Sequence, residues 1–446
     1  MAVTSAKRTF NLKNKKVTVI GVQKSGIALA RLVNHLGGRV KISEQSSDAH
    51  LPSLFKEWAH ERNIPLEFNG HTQKFIEDSE LLVLSPGVCF KANPVRWALE
   101  KGIPVLGEIE FAFQFCSAPV IAVTGSNGKT TTVTLIRDLL RKAGFKSCLC
   151  GNVGSPFSEH VLNPNYDFFV LETSSFQLES LLETNSPWRN SSVSDFYFKG
   201  FKPLISIILN ISENHLDRHA DMEEYSQAKK RIFLNQDKDD HAILNGEDAW
   251  MRKISLEIKP RVAFFNTPED IKINEMSNPN YLAVLEVARI LRIDIRLCKE
   301  VFAEFKGVEH RLEWVRAIDG VDFINDSKAT TAEATRWALN RLDRPIFMIC
   351  GGRDKHIDFT TLRELVQSKV KKMFVIGEAK EKLRLSFQDI VDLEECENLE
   401  EAVFKARKSA RKGDCVLLSP MCTSFDMFAN FEERGKVFKE IVNKLT

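Results

Sequence analysis

The sequence predicts an α/β protein of three domains. These are a Rossmann-like N-terminal domain, a central P-loop ATPase-like parallel-sheet domain and a C-terminal Rossmann-like domain. Three observations carry that prediction. Short apolar runs of strand length alternate with stretches of helical period along the chain. Most of these runs end in glycine, serine or a charged residue, as in open parallel sheets that build sites at their carboxyl ends. The chain also has 446 residues, too many for one small core.

Composition narrows the class. The 43% apolar and 27% charged residues are ordinary for a globular chain, and a net charge of +2 gives no field to draw nucleic acid or an anionic membrane. Nine cysteines, odd in number and without zinc-ligand spacing, read as free thiols of a reducing compartment. The opening MAVTSAKRTFNLKNKK lacks the apolar centre of a secretory signal, and no apolar run reaches membrane-spanning length. A cytoplasmic monomer acting on small molecules is expected.

The first block, residues 1–107, opens as strand, helix, strand. Val17 to Ile20 form the first strand, Ile27, Leu29, Leu32 and Val33 suit one helix face, Gly37 and Gly38 stop the helix, and Val40 to Ile42 begin the next strand. The intervening turn GVQKSG is an incomplete dinucleotide fingerprint, because Gln23 stands where its second glycine belongs. Glu44 ends the second strand, where a ribose or base contact is expected. These residues alone fit NAD, another nucleotide or a plain α/β turn. A further run, LLVLSPGV, ends in Ser85, Pro86 and Gly87.

The second block, residues 108–307, contains AVTGSNGKTTTV. A strand from Val120 to Val123 meets the turn Gly125, Ser126, Asn127 and Gly128. Lys129, Thr130 and Thr131 then open a helix whose apolar face is Val133, Ile136, Leu139, Leu140 and Ala143, stopped at Gly144. In such a turn the backbone N–H groups of Ser126 to Thr130 converge on phosphate oxygens. Lys129 would neutralise the β- and γ-phosphates, and the Thr130 hydroxyl is a candidate Mg²⁺ ligand. The spacing is tighter than G-x-x-x-x-G-K-[ST], since Val123 replaces the first glycine. The motif predicts a nucleoside triphosphate and is silent on the reaction.

Two more strands of this block end in polar residues. FFVLE places Glu172 one residue past the strand Phe168 to Leu171, where it fits a Mg²⁺ ligand, a helix cap or a surface ion pair. Ile205 to Leu209 lead into Glu213, His215, Asp217 and Arg218. Lys229, in the helical stretch YSQAKKRIF, reads by itself as a solvated surface lysine. The polar, aromatic-dotted segment from Thr184 to Lys202 reads as a surface loop or insertion.

The third block, residues 308–446, carries the strands VDFIN, PIFMICGG, KMFVIGEA and CVLLSP and is expected to be a smaller parallel-sheet domain. Asp326, Lys328 and Thr330 make a polar turn after the first of these. Lys355 follows a double glycine, Ser424 lies in SPMCTSFDMF, and Arg311 in EHRLEW is a candidate phosphate contact.

Together these stretches resemble the Mur ligase family of peptidoglycan synthesis, over essentially the whole chain. TGSNGKTTT marks the broad group, which includes folylpolyglutamate synthase. LETSSFQLE, GGRDKHIDF and LLSPMCTSFDMFANFEERG beside NDSKAT are similar to its D-glutamate-adding branch. The resemblance implies ATP-dependent amide formation between the L-alanyl carboxylate of a uridine nucleotide sugar and the amine of D-glutamate, a step that serves cell shape and division. The first block would then hold the uridine nucleotide instead of NAD, with Lys24 and Ser25 near the diphosphate, Glu44 near uracil and Gly87 in the matching turn. The third block would bring D-glutamate and close over ATP.

By the same resemblance, Thr130 and Glu172 match ligands of one Mg²⁺, His215 matches a ligand of a second, and Lys229 matches a lysine that the family carbamylates. Asn152, Ser174 and Gln177 match positions lining the reacting carboxylate and phosphate. Lys328, Thr330, Lys355, Ser424 and Phe431 match the D-glutamate side, and Asn280, Arg311 and Asp326 match ATP contacts. One departure is Ala283, where the family commonly has a second asparagine near the adenine. Other readings are a folate-directed glutamate ligase and a non-catalytic nucleotide-binding module. A nicotinamide dehydrogenase built on GVQKSG would leave the phosphate turn unexplained.

Overall fold

The computed structural model describes residues 10–48, 51–182, 186, 196, 198–212, 219, 221–269, 278–354 and 357–445. They form two compact units, residues 1–305 and 306–446. The larger unit contains two parallel sheets and the smaller contains one mixed sheet.

The first sheet runs β3-β2-β1-β4-β5, from β1 (Lys16–Ile20), β2 (Arg39–Ser43), β3 (Leu66–Glu67), β4 (Leu81–Leu84) and β5 (Val105–Gly107). All its pairings are parallel, so every strand ends at the same edge. The central strands β1 and β4 are nearly continuous apolar runs because both faces are covered. The helix Lys24–His35 follows β1, buries Leu29, Leu32 and Val33, and is terminated by Gly37 at φ +79°. Ile27, expected on the same face, is only half-buried.

The second sheet runs β11-β10-β9-β6-β8-β7 and is also parallel throughout. Its strands are β6 (Val120–Thr124), β7 (Ser147–Gly151), β8 (Phe168–Glu172), β9 (Ile205–Ile208), β10 (His241–Asn245) and β11 (Arg261–Phe265). The helix Lys129–Lys142 packs its buried Val133, Ile136, Leu139 and Leu140 in one apolar cluster with Leu282, Ala283 and Val287 of the helix Pro279–Leu291. Ala283 is thus a core residue.

The aromatic-dotted segment corrects the surface-loop expectation over its described part. Phe196, Phe198 and Phe201 are at most 2% exposed. Phe196 and Phe198 pack on Phe10, whose ring also contacts Phe111 and Phe115. Each such ring removes a large apolar area from water, which outweighs the polar composition of its neighbours.

The third sheet runs β12-β13-β17-β14-β15-β16. Its strands are β12 (Glu313–Ile318), β13 (Val321–Asn325), β14 (Ile346–Gly351), β15 (Val370–Ile376), β16 (Asp392–Glu395) and β17 (Cys415–Leu418). Five strands are parallel, but β12 pairs antiparallel with β13, so the sheet is mixed where an all-parallel one was expected. The two-residue turn Asp319-Gly320 makes this hairpin possible, both residues having positive φ. All nine cysteines are free, and seven are buried as small apolar side chains. Among the described residues no helix is long and apolar enough to cross a membrane.

Candidate active site

The site is built at the carboxyl ends of β6 and β8. Val123 is a fully buried residue of β6, paired in register with Glu172 of β8. This explains why no glycine is needed there: the strand runs on to Thr124 and the turn is confined to Gly125–Gly128. Gly125 has φ +147°, and a β-carbon on it would lie 3.1 Å from Leu209 Cβ. Gly128, at φ +84°, is the N-cap of the helix Lys129–Lys142, with no side chain capping it. That leaves an uncapped helix N-terminus for an anion.

The cradle is narrower than the spacing suggested. The Ser126 N–H donates to the Asn210 carbonyl at 2.9 Å and the Asn127 N–H to Asn210 Oδ1 at 2.8 Å, so both serve the loop itself. The anion-facing part therefore begins at Gly128 and continues into Lys129, Thr130 and Thr131. Asn280 stands against it: Thr132 Oγ1 donates to its Oδ1 at 3.4 Å, and the same oxygen would be 2.3 Å from a β-carbon at Gly128.

Two lysines converge on one carbonyl. Lys129 Nζ donates to Gly125 O at 2.8 Å and Ser126 O at 3.0 Å, and Lys229 Nζ donates to Gly125 O at 3.1 Å. Lys229 is 1% exposed, which overturns its reading as a surface lysine. The helix Met222–Lys230 turns it inward over the Tyr225 ring, 4.4 Å from the centroid, while Tyr225 Oη and Ser126 Oγ are 3.2 Å apart. Burial, and then the charge on Lys129, push the Lys229 amine well below its ordinary pKa. A buried amine shifted this way has a larger neutral, nucleophilic fraction.

Glu172 is the last residue of β8, within the strand and not one past it, and is 2% exposed. Its Oε2 accepts from Thr130 Oγ1 at 2.7 Å and its Oε1 from Asn152 Nδ2 at 2.9 Å. Gly151 of β7 pairs with Glu172 on the other side and has φ +101°; a β-carbon there would lie 2.4 Å from the Glu172 carbonyl. Glu172 has no ammonium or guanidinium partner among the described residues. Buried carboxylates are paired or bind metals, and an oxygen-only set of Thr130 and Glu172 suits Mg²⁺.

Ser174 and Gln177 form the capping box of the helix Ser175–Glu179. The Ser174 hydroxyl accepts from Gln177 N at 3.2 Å, and Gln177 Oε1 accepts from Ser174 N at 2.9 Å. They lie just past Glu172 with these atoms engaged in the helix cap. His215 and Lys355 fall outside the described residues.

In the first sheet, Gly21, Glu44 and Gly87 line a cleft of about 570 Å³ together with His71 and Trp97. Gln23, and not Lys24 or Ser25, completes its wall at the start of the helix. Glu44 accepts from Val22 N at 2.7 Å, so the carboxylate caps the glycine turn. A β-carbon on Gly26 would meet the Gly21 carbonyl at 1.9 Å, which explains why this glycine persists in an incomplete fingerprint.

In the smaller unit, Lys328 and Thr330 follow β13 and Ser424 and Phe431 follow the adjacent strand β17, and the Met421 N–H donates to the Ala329 carbonyl at 2.9 Å between the two turns. Ser327 Oγ donates to the Phe431 carbonyl at 2.8 Å, and Lys328 Nζ lies 5.8 Å from the Phe431 ring centroid. Asp326 accepts from Ser419 Oγ at 3.0 Å and Leu312 N at 3.2 Å, and burial raises its pKa to about 7 against those bonds and Arg311. Arg311 stacks on Trp337, 5.4 Å from the ring centroid.

Three residues of these clusters were not singled out from the sequence: Asn210, Tyr225 and Arg434. Arg434 is 1% exposed and donates to the carbonyls of Ser327, at 2.9 Å, and Cys422, at 3.1 Å, tying the turns after β13 and β17. An Arg inside an otherwise apolar helical face, in NFEERGKVF, was the available signal.

Comparison with known proteins agrees with this geometry. Family signatures match in three blocks: Mur ligase MurD-like, N-terminal domain over residues 15–107, Mur ligase middle domain over 123–281, and Mur ligase, glutamate ligase domain over 310–422. The UDP-N-acetylmuramoylalanine–D-glutamate ligase of Caldicellulosiruptor saccharolyticus is 37% identical over 470 residues, covering 98% of this chain and 100% of its own. The chain belongs to the Mur ligase family. Like the family's other members it is an ATP-dependent ligase. Two Mur ligase structures from Thermotoga maritima share the fold. UDP-N-acetylmuramate-alanine ligase has a TM-score of 0.56 at 16% identity, covering 96% of this chain and 99% of its own. The MurF ligase in complex with ADP has a TM-score of 0.54 at 15% identity, covering 98% of each.

Proposed function

We propose that this Mur ligase joins D-glutamate to UDP-N-acetylmuramoyl-L-alanine, releasing ADP and phosphate. The observation that carries the reading is the convergence of Lys129 and Lys229 on the Gly125 carbonyl at an uncapped helix N-terminus whose Thr130 hydroxyl donates to the buried Glu172 carboxylate. That arrangement suits a polyanion, and the full-length kinship with D-glutamate ligases supplies the acceptor. Residues 1–107 bind the uridine nucleotide, 108–307 bind ATP, and 308–446 bind the incoming amino acid.

A carboxylate is a poor electrophile, so the γ-phosphoryl group of ATP passes to the L-alanyl carboxylate, breaking the β,γ-bridge and releasing ADP. The amine of D-glutamate then attacks the acyl phosphate, a tetrahedral oxyanion forms, and phosphate leaves as the amide closes. Both steps bring anions together. Lys129 and the N–H groups from Gly128 onward hold the phosphates and stabilise the charge in transfer. Thr130 and Glu172, with His215, would hold two Mg²⁺, which screen the triphosphate and polarise its γ-phosphorus. Asn152 fixes the Glu172 carboxylate. The Lys229 amine, largely desolvated, adds to CO₂ with loss of a proton to give a carbamate, a carboxylate on a long arm.

The test is phosphate release. ADP and phosphate are expected only when UDP-N-acetylmuramoyl-L-alanine and D-glutamate are both present; hydrolysis indifferent to either would sink the reading. Replacing the nucleotide sugar by a folate should give no turnover. For Lys229, intact mass of the active protein should show one added CO₂, and bicarbonate should restore activity in CO₂-depleted buffer.

A further inference from the structure

Glu108 is the first residue after β5, at the exit from the first sheet, and is 2% exposed. Its carboxylate reaches into the second sheet's surroundings, where Oε1 accepts from the Ser158 N–H at 2.8 Å. Ser158 lies in the first turn of the short helix Phe157–His160, whose N-cap is Pro156 and has no side-chain cap of its own. The missing cap is supplied by Glu108, fifty residues away in the chain.

That short helix closes the loop that carries Asn152. The Gly151 N–H donates to the Ser155 carbonyl at 2.9 Å, Cys150 bridges Ser155, and the Asn152 N–H donates to the Glu172 carbonyl at 2.8 Å. These bonds tie the loop at both ends, so anchoring the helix anchors Asn152. The same junction is pinned from the other side: a β-carbon on Gly107 would lie 1.9 Å from Ser180 Oγ, just past the helix Ser175–Glu179 that follows Glu172.

We propose that Glu108 is a positioning residue for phosphoryl transfer: its carboxyl caps the helix behind the Asn152 loop and so sets the Asn152 amide on Glu172. The inference rests on the ligase reading for the role of the Asn152–Glu172 pair. Glu108 Oε2 has no hydrogen bond among the described residues, and burial raises the group's pKa against the Ser158 and Phe157 donors. A neutral isostere separates the cap from the charge. Glutamine keeps an acceptor oxygen for Ser158 N, whereas alanine removes the cap.

Glu110 provides a matched control. It is equally buried in the same helix but accepts from Phe201 N at 3.3 Å, away from the Asn152 loop. The experiment compares the full-length wild type, Glu108→Gln, Glu108→Ala and Glu110→Ala by steady-state phosphate release and by amide exchange across residues 151–158. Glu108→Ala should lose at least about tenfold in kcat with KM for ATP within about twofold, and should speed exchange over the loop. Glu108→Gln should stay within about threefold of wild type in both readouts, and Glu110→Ala within about threefold in kcat. Unchanged kcat in Glu108→Ala, or an equal loss in Glu110→Ala, would overturn the inference. If the wild type itself releases no phosphate with both substrates, the ligase reading fails; unchanged exchange over 151–158 in Glu108→Ala would then overturn the anchoring separately.

Discussion

The turns after β1 and β6 share a backbone plan: an apolar parallel strand, a glycine at positive φ, and a helix whose N-cap, Gln23 or Gly128, has no side-chain bond. Their charges differ. In the first, the Val22 N–H is taken by the Glu44 carboxylate, so a phosphate at that point would meet an anion. In the second, the early N–H groups are held by the neutral Asn210, and two lysines face the Gly125 carbonyl. One backbone geometry thus serves two purposes, and residues brought in from elsewhere in the chain decide which. The first suits the uncharged base or ribose end of a nucleotide, and the second a triphosphate.

The contrast can be broken hardest at its cationic end. Lys129→Met should lower phosphate release by about 10³-fold or more, as loss of a charge-stabilising group does, and Lys229→Met should lower it as far by removing the amine that takes up CO₂. Thermal melting of Lys229→Met should not fall with it, because an apolar side chain of similar length in that buried position lifts the desolvation cost of the amine. Retained turnover in Lys229→Met would mean that its position beside Lys129 has no catalytic purpose.

A strand-end turn of the third sheet sharpens the comparison with a buried carboxylate whose hydrogen bonds, among the described residues, come from the neutral donors Ser419 Oγ and Leu312 N. Asp326 has a folded pKa near 7 against 3.8 when unperturbed. Between those values the native state binds more protons than the unfolded chain, so stability falls as pH rises from about 4 to about 7. The loss should be on the order of 3 kcal/mol for the smaller unit, read by urea unfolding at pH 5 and 8. Asp326→Asn should remove that slope, and a wild type with flat stability over the range would contradict a carboxyl whose burial outweighs its hydrogen bonds and Arg311.

The smallest effect is expected at the anionic turn. Glu44→Gln keeps an acceptor for Val22 N, so KM for the uridine nucleotide should rise by about tenfold with kcat unchanged. A fall in kcat with KM unchanged would show that the two turns are not separate in purpose.

Much of this architecture was legible in the residues. The apolar runs that became β1, β4, β6, β8, β14, β15 and β17 are buried on both faces, and a fully buried strand needs no long-range information to be recognised. The edge strands were not legible. β16 is DLEE, polar but for Leu393, and forms because β15 offers it unpaired backbone groups. Phe196, Phe198 and Phe201 were misread because their polar neighbours in sequence are not their neighbours in space.

The sequence by itself determined that a glycine turn with Lys129 follows a buried strand and begins a helix, since those requirements act within a few residues. Only the tertiary structure decided what that turn can do. Lys229 meets the Gly125 carbonyl across 104 positions, Glu172 meets Thr130 across 42, and Asn210 takes the Asn127 N–H across 83. Burial and desolvation are properties of the assembled surroundings. No local pattern distinguishes a lysine that will be buried beside a phosphate turn from one that will face water.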